Sequence, residues 1–301
     1  MTERKTAVKQ VARKILPEKT YRALSGKLRD TIGMAEDPLL SVRKAVEQQS
    51  LPDQYLLEIK NTIEIKRRMD YEPHDIYLNI DSATEFETRL HSCAKEPDTV
   101  EWIESMKPGD TFYDIGANVG AYSLVAAKAF GGSVKVFAFE PAFLNFTQLC
   151  RNVFLNQCQD VIIPLSIALS DSTSLGSFNF HDLIPGGSLH TLGEAIDHKG
   201  ERFEPVLKQP VVSFKTDDFI DQFALPRPTH IKVDVDGIEL AVLKGAERTL
   251  SDNTLRSIVV ETEEGESERQ ITDLLSHFGL RLDARYGRRT PGMFNCIFVR
   301  A

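Results

Sequence analysis

The stretch Thr111–Leu124 limits the possible folds more than any other part of the chain. It reads Thr-Phe-Tyr-Asp-Ile-Gly-Ala-Asn-Val-Gly-Ala-Tyr-Ser-Leu. Its first five residues spell a buried strand, Gly116 and Gly120 a tight turn, and Tyr122 onward an apolar helix. A strand that stops at a glycine turn and feeds a helix builds a ligand site at the carboxyl edge of a parallel sheet. Glycine lets backbone approach a ligand closely, and the helix start offers unpaired N–H groups to a negative group.

The charge around this turn narrows the ligand. From Phe112 to Ala127 there is no Lys or Arg, and the spacing is Gly116-x-x-x-Gly120. Dinucleotide sites usually show Gly-x-Gly-x-x-Gly or a nearby cation. Here an acid, Asp114, precedes the first glycine instead. It suits a ligand bearing ammonium or sulfonium charge, such as S-adenosylmethionine (SAM); the plainer alternative is that Asp114 only caps the turn. The apolar run Val134–Glu140 repeats the pattern, ending in Phe139-Glu140-Pro141, and Glu140 stands 26 residues after Asp114. A carboxylate at such a strand end can accept both ribose hydroxyls of an adenosine, or cap the helix expected over Phe143–Asn156. A third strand, Val161–Ile167, leads to Asp171, which could read an adenine amino group or be a polar turn residue.

The second informative stretch is His230–Ala246. A strand over Ile231–Val235, interrupted by Lys232, brings Asp234, Asp236 and Glu239 to the same sheet edge. Three acids within six residues are costly without partners; Lys232, Lys244 and a sulfonium are candidates. Asp236 as N-cap and Glu239 at the third position could equally cap a helix over Ile238–Leu250.

The rest of the chain supplies context. The length of 301 residues suits one large domain plus an extension. Residues 1–31 carry nine Lys/Arg against three acids, whereas the whole chain has a net charge of −8. Nonspecific nucleic-acid binding is not expected of such a chain. The basic amphipathic arm could lie on an anionic membrane surface, dock a partner, or pack on its own domain or a dimer mate. Cys93, Cys150, Cys158 and Cys296 form no Cys-x-x-Cys pair, and no apolar run reaches membrane-spanning length; a cytoplasmic protein with reduced thiols is expected. A long helix is expected over Ser50–Asp70 and a strand over Ile76–Ile80. Thr216 is expected to cap a helix over Asp217–Phe223, and the last strands to be Leu280–Leu282 and Cys296–Val299. The loop Ile184–His190 looks mobile and able to cover a substrate.

Three segments together resemble the FkbM-type SAM-dependent O-methyltransferases. They are Phe112–Gly120, Phe139-Glu140-Pro141, and Ile231–Gly237 continued through Glu239 and Leu243–Ala246. Glu96–Val100 and the Ser188-Leu189 loop add to the likeness, which covers about residues 75–300. The family commonly has Glu where this chain has Asp236. The resemblance implies an α/β fold: a doubly wound, Rossmann-like, seven-stranded, mostly parallel sheet with an antiparallel last strand, over residues 75–301. Residues 1–74 would form a helical, basic extension. It also implies methyl transfer from SAM to a hydroxyl of a sugar, glycan or natural-product acceptor. Asp114, Gly116, Asn118 and Gly120 would hold the methionine part and Glu140 the ribose. Asp171 would lie by the adenine, and Glu96 could close over the methionine end. For the proton of the acceptor hydroxyl, Asp234 is the first candidate base, then Asp236, with His190 third. Asp234 and Glu261 could share a hard cation, but no third ligand is evident and no metal is expected. The competing readings are an NAD(P)-dependent oxidoreductase and a noncatalytic SAM-binding module.

Overall fold

The computed structural model describes residues 53–196 and 201–301. The basic arm of residues 1–31 lies outside the described residues. The chain divides into two compact units, Met1–Ile65 and Lys66–Ala301. In the first, helix α1 spans Asp53–Thr62. It ends at the β-branched pair Thr62-Ile63, well before Asp70, where the sequence had pointed to its end. In the second unit, β1 (Lys66–Arg68) pairs antiparallel with β2 (Tyr77–Asn79). Just beyond β1, Met69 and Tyr71 are both buried, and Met69 N donates to Ile76 O at 2.8 Å.

Three short helices follow: α2 (Ala83–Glu87), α3 (Ser92–Lys95) and α4 (Pro97–Glu104), the last opening on a proline that costs no helix hydrogen bond. The central alternation then begins. It runs β3 (Thr111–Ile115), α5 (Ala121–Ala129), β4 (Lys135–Phe139), α6 (Phe143–Leu155) and β5 (Ile162–Leu165). Four strands depart from it: β6 (Ala168–Leu169), β7 (Ser174–Phe180), β8 (Thr191–Leu192) and β9 (Leu207–Phe214). It resumes with α7 (Thr216–Phe223), β10 (His230–Val233), α8 (Glu239–Lys244), α9 (Glu247–Ser251), β11 (Ser257–Glu263) and α10 (Glu266–His277). The hairpin β12 (Leu280–Gly287) and β13 (Met293–Arg300) closes it.

The main sheet has seven strands in the order β12-β13-β11-β10-β3-β4-β5. β5, β4, β3, β10 and β11 run parallel, and β13 is antiparallel to β11 and β12. This is the expected doubly wound, Rossmann-like sheet. Winding proceeds from β3 to β5 in one direction and from β10 to β11 in the other. The crevice therefore opens at the carboxyl ends of β3 and β10, where the direction reverses. Strand periodicity sends residues to two cores. Phe112, Val136, Ala138 and Val259 face one core, with Trp102, Leu124 and Leu149. Tyr113, Ile115, Phe137, Phe139, Ile231 and Val233 face the other, with Val242 and Leu275.

A second sheet, in the order β6-β9-β7-β8, stands beside this crevice. β9 is twice as long as the segment Val211–Phe214 suggested and contains Pro210. Proline is tolerated because β6 pairs only with Ser213 and Phe214, which leaves Pro210 one open edge. The helix expected over Ile238–Leu250 is broken into α8 and α9. Gly245 runs so close to another segment that a Cβ there would lie 2.0 Å from Ser170 O. Asp217 caps the second piece, accepting from Arg248 N at 2.7 Å and Thr249 N at 2.9 Å. Thr216 is the first helical residue of α7 rather than its cap, because Lys215 takes the extended cap conformation. No helix among the described residues is long and apolar enough to cross a membrane.

Candidate active site

Gly116 lies directly against the backbone at the end of β10. Its φ is +83°, and a Cβ there would lie 1.8 Å from the backbone oxygen of Asp234. No side chain fits between these strand ends. The N–H groups of Gly116 and Ala117 both donate to Phe139 O at 3.0 Å, tying the turn to β4. Asn118, at φ +51°, donates its N–H to Glu140 Oε2 at 2.8 Å. Ala142 N donates to Oε1 of the same carboxylate at 2.8 Å. Glu140 thus fixes both the glycine turn and the start of α6, and each oxygen keeps a lone pair for a further donor.

A cavity of about 330 Å³ opens here, lined among others by Gly116, Asn118, Glu140, Asp234 and Asp236. Those five expected residues are brought together. The other four do not line it. Asp114 is wholly buried on the α5 side of β3, where Ser123 Oγ donates to its Oδ2 at 2.5 Å and no hydrogen bond among the described residues reaches its Oδ1. Gly120 packs against α6, and a Cβ there would meet Leu149 Cδ1 at 2.5 Å. Asp171 is exposed; Ile167, Ala168 and Leu169 form the wall instead. Glu96 is 1% exposed and held by Arg288 Nη2 at 2.5 Å and Thr99 Oγ1 at 3.1 Å. The acids at the cavity are therefore those of the β4, β10 and β11 ends, not that of β3.

Sheet register explains the charge network. Lys232 and Asp114 are neighbours across β10 and β3, on the same face. Lys232 Nζ also donates to Asp234 Oδ2 at 2.7 Å. Burial opposes its charge, but Asp234, Asp114 and Glu96 outweigh this and raise its pKa. Burial would raise Asp234 too, yet Lys232, Lys95 and Arg288 hold it well below the ordinary range. Burial pushes Glu140 up to about 7 against its two backbone donors. Glu261, at the end of β11, is pushed up to about 8 by burial and by the Asp234 charge, against Arg288. Glu239 is pushed up to about 7, mainly by burial; it accepts from Gly237 N at 3.1 Å rather than completing a capping box with Asp236.

The loop over residues 184–190 borders the cavity and is anchored, not loose. Gly186 N donates to Asn145 Oδ1 at 2.8 Å, and Asn118 Nδ2 and Asn145 Nδ2 donate to Gly187 O at 2.8 and 3.1 Å. Arg89 donates twice to Gly186 O, at 2.9 and 2.7 Å. Asp236, at φ +44°, accepts from Leu189 N at 2.7 Å. His190 is buried against Phe180, 4.7 Å between ring centres, and also lines the cavity.

Sequence reasoning missed Arg288, Arg89 and Asn145. Arg288 belongs to the turn-rich link between the last two strands, and it donates from Nε to Glu261 at 3.0 Å as well as pairing with Glu96. Its signal was an arginine pair where a hairpin returns to the carboxyl edge. Asn145 belongs to a stripe on α6 with Gln148 and Asn152 that continues to the C-cap Asn156, all buried. Polar residues at helical spacing on a buried face are a readable signal.

The residues present fit SAM. Gly116 leaves a cradle that any Cβ would fill. Glu140, Asp234, Asp236 and Glu261 outnumber the cations Arg89 and Lys95 around the cavity. That surplus suits a ligand of net positive charge, which would itself favour the ionised carboxylates.

A family model described as "Methyltransferase FkbM domain" matches residues 114–286. Hexuronic acid methyltransferase AglP of Haloferax volcanii is 28% identical over 192 residues, covering 62% of this chain and 71% of that protein. Methyltransferase sdnD of Sordaria araneosa is 30% identical over 219 residues, covering 66% of this chain and 84% of that one. Among solved structures, M. jannaschii TYW2 in complex with AdoMet aligns with 79% of this chain and 87% of its own, at 12% identity and a TM-score of 0.42. The family match takes in more than half of the chain, from the glycine turn to the last hairpin, so the chain belongs to the FkbM methyltransferase family and is a SAM-dependent methyltransferase.

Proposed function

We propose that this methyltransferase acts on a hydroxyl group of a sugar, glycan or natural-product scaffold. The observation that carries the reading is the acid-lined cavity at the sheet's switch point, closed on one side by the anchored 184–190 loop. Carboxylates accept hydroxyl protons in hydrogen bonds, which suits a polyhydroxylated acceptor. The naming of one relative as a hexuronic acid methyltransferase adds support for a sugar.

Glu140, Gly116 and Asn118 would hold the donor, with Glu140 taking the ribose hydroxyls. When bound, SAM supplies an electrophilic methyl carbon on a sulfonium. Asp234, kept ionised by Lys232 and lining the same cavity, would offset that positive charge. Asp236 holds the loop that borders the acceptor side and so positions the incoming oxygen. Positioning alone can lower a displacement barrier by several kcal/mol, up to about 7–11 in ideal cases.

Calorimetric titration with SAM and with NAD(P), followed by mass analysis of products from labelled SAM and candidate glycosides, tests the reading. Saturable SAM binding and a methyl ether in the product are expected. Methylation at nitrogen or at a carboxylate would refute the hydroxyl assignment.

A further inference from the structure

A second cavity, of about 550 Å³, adjoins the first. It contains none of Gly116, Asn118 and Glu140, but shares Lys95, Ser188, Leu192, Asp236, Ile238 and Glu261 with it. A methyl group crossing from a donor to an acceptor must pass where two such chambers meet. We propose that the second cavity receives the acceptor and that Glu261, at the seam, is the catalytic residue that takes the proton from the acceptor hydroxyl. This inference rests on the reading of the first cavity as the SAM site.

The other seam residues are poorer candidates. Lys95 ends in an ammonium, which has no lone pair to offer. Asp236 is committed to the loop, accepting from Leu189 N while its own backbone is held at a left-handed φ of +44°. Asp234 lines only the first cavity and is locked to Lys232. His190 lines only the first cavity. Glu261 is held at one oxygen, Oε1, by Arg288 Nε at 3.0 Å, and no hydrogen bond among the described residues engages Oε2. Arg288 in turn is fixed by Glu96, so the carboxylate is aimed by a buried relay.

The charged groups facing Glu261 come from several elements. Lys232 on β10, Lys95 on α3 and Arg288 at the hairpin tip are cations. Asp234 and Asp236 after β10, and Glu96 before α4, are anions. Burial first, and then the Asp234 and Glu96 charges, outweigh these cations and leave Glu261 a stronger base than an ordinary carboxylate, its pKa raised to about 8. In the step itself the acceptor oxygen forms a bond to the methyl carbon as the carbon–sulfur bond breaks. The pair of electrons from that bond stays on sulfur, which becomes a neutral thioether. The hydroxyl proton passes to Glu261 Oε2 and then to solvent.

The test compares wild type, Glu261→Gln and Glu261→Asp, using labelled SAM and an extract of the source cells as the supply of acceptor. Calorimetry with SAM is run on all three, and circular dichroism checks folding. Glu261→Gln should still bind SAM, weakened only severalfold by the loss of one of four cavity acids, while transferring label about 10²–10⁴-fold more slowly. Glu261→Asp, which keeps the charge, should recover part of the rate. At limiting acceptor and saturating SAM, the wild-type rate should fall as pH drops through the Glu261 pKa, about 8 without ligand and lower beside the donor's cation, and Glu261→Gln should lose that fall. A folded Glu261→Gln that transfers label at the wild-type rate with the same pH profile overturns the assignment while leaving the methyltransferase reading standing. A wild-type protein that does not bind SAM overturns that reading, and this inference with it.

Discussion

Gly116 and Gly120 are interchangeable to the eye in the sequence, and both have positive φ, +83° and +86°. What each would collide with separates them. An alanine at 116 meets backbone, Asp234 O at 1.8 Å, whereas one at 120 meets the end of a flexible side chain, Leu149 Cδ1 at 2.5 Å. Gly116→Ala should therefore cost about 3–5 kcal/mol, from left-handed strain plus overpacking that backbone cannot relieve. Gly120→Ala should cost only about 1–3 kcal/mol. Denaturant melts of the two variants check this, and equal costs would contradict it. The pair Lys232–Asp234 behaves differently, because charge rather than space decides. Asp234→Asn leaves a buried lysine with one partner fewer, at about 3–5 kcal/mol. Pairing it with Lys232→Met removes the stranded cation. The double variant should be more stable than the sum of the singles by about 1–3 kcal/mol. Additive single effects would mean that Asp114 and Glu96 already neutralise Lys232.

Helix α6 shows how one element serves several parts of the site. Its buried face carries amides where a core helix would carry apolar groups. Asn152 accepts from Asn79 N at 2.8 Å and donates to Val119 O at 3.0 Å, Asn156 accepts from Tyr77 N at 2.9 Å, and Asn145 grips the 184–190 loop. Asn145→Ala removes two bonds to that loop, each worth about 0.5–1.5 kcal/mol. SAM should bind roughly tenfold more weakly, since about 1.4 kcal/mol is a factor of ten. Hydrogen exchange at Gly186 should quicken as well; unchanged exchange would show that Arg89, Asn118 and Asp236 suffice to anchor the loop. The central strands were legible because both faces are buried, so their apolar runs are unbroken. The glycine turn and the ends of β4 and β10 were legible because glycine and acids stand where apolar patterns stop. The second sheet was not, because β9 finds its partners β6 and β7 at distances in sequence that no local pattern carries. The direction of Asp114 was missed for a similar reason. Alternation puts it on the Lys232 side of the sheet, but only the register between β3 and β10 shows that Lys232 is its neighbour. The role of Arg288 depends on a hairpin whose strands, Leu280–Gly287 and Met293–Arg300, run longer than their apolar cores.

Across the whole molecule, the site sets stability against function through its carboxyl groups. Glu140 and Glu239 titrate near 7 and Glu261 near 8, all above the ordinary value of 4.5, with burial the leading cause. Between 4.5 and those values the folded protein holds protons that the unfolded chain has released, so stability falls as pH rises through this window. Asp234 and Glu96 act the other way: their depressed values contribute stability above the ordinary range that is lost on acidification. Buried His190 and His230, lowered from 6.5 mainly by burial, add stability as pH rises toward 6.5, so the ligand-free protein should weaken most clearly from about pH 6.5 to pH 8. Glu140 alone, shifted from 4.5 to about 7, accounts for up to about 3 kcal/mol at one unit per 1.36 kcal/mol. Each kcal/mol corresponds to about 2–4 °C in melting temperature for a domain of this size. SAM reverses the slope, because a cation in the cavity stabilises the ionised carboxylates and binds more tightly as they lose their protons. Thermal melts from pH 5 to pH 9, with and without SAM, should diverge as pH rises, and Glu140→Gln should flatten the ligand-free curve. Parallel curves would mean that the ligand's charge does not meet these acids, and the cavity would then have to bind something other than a sulfonium.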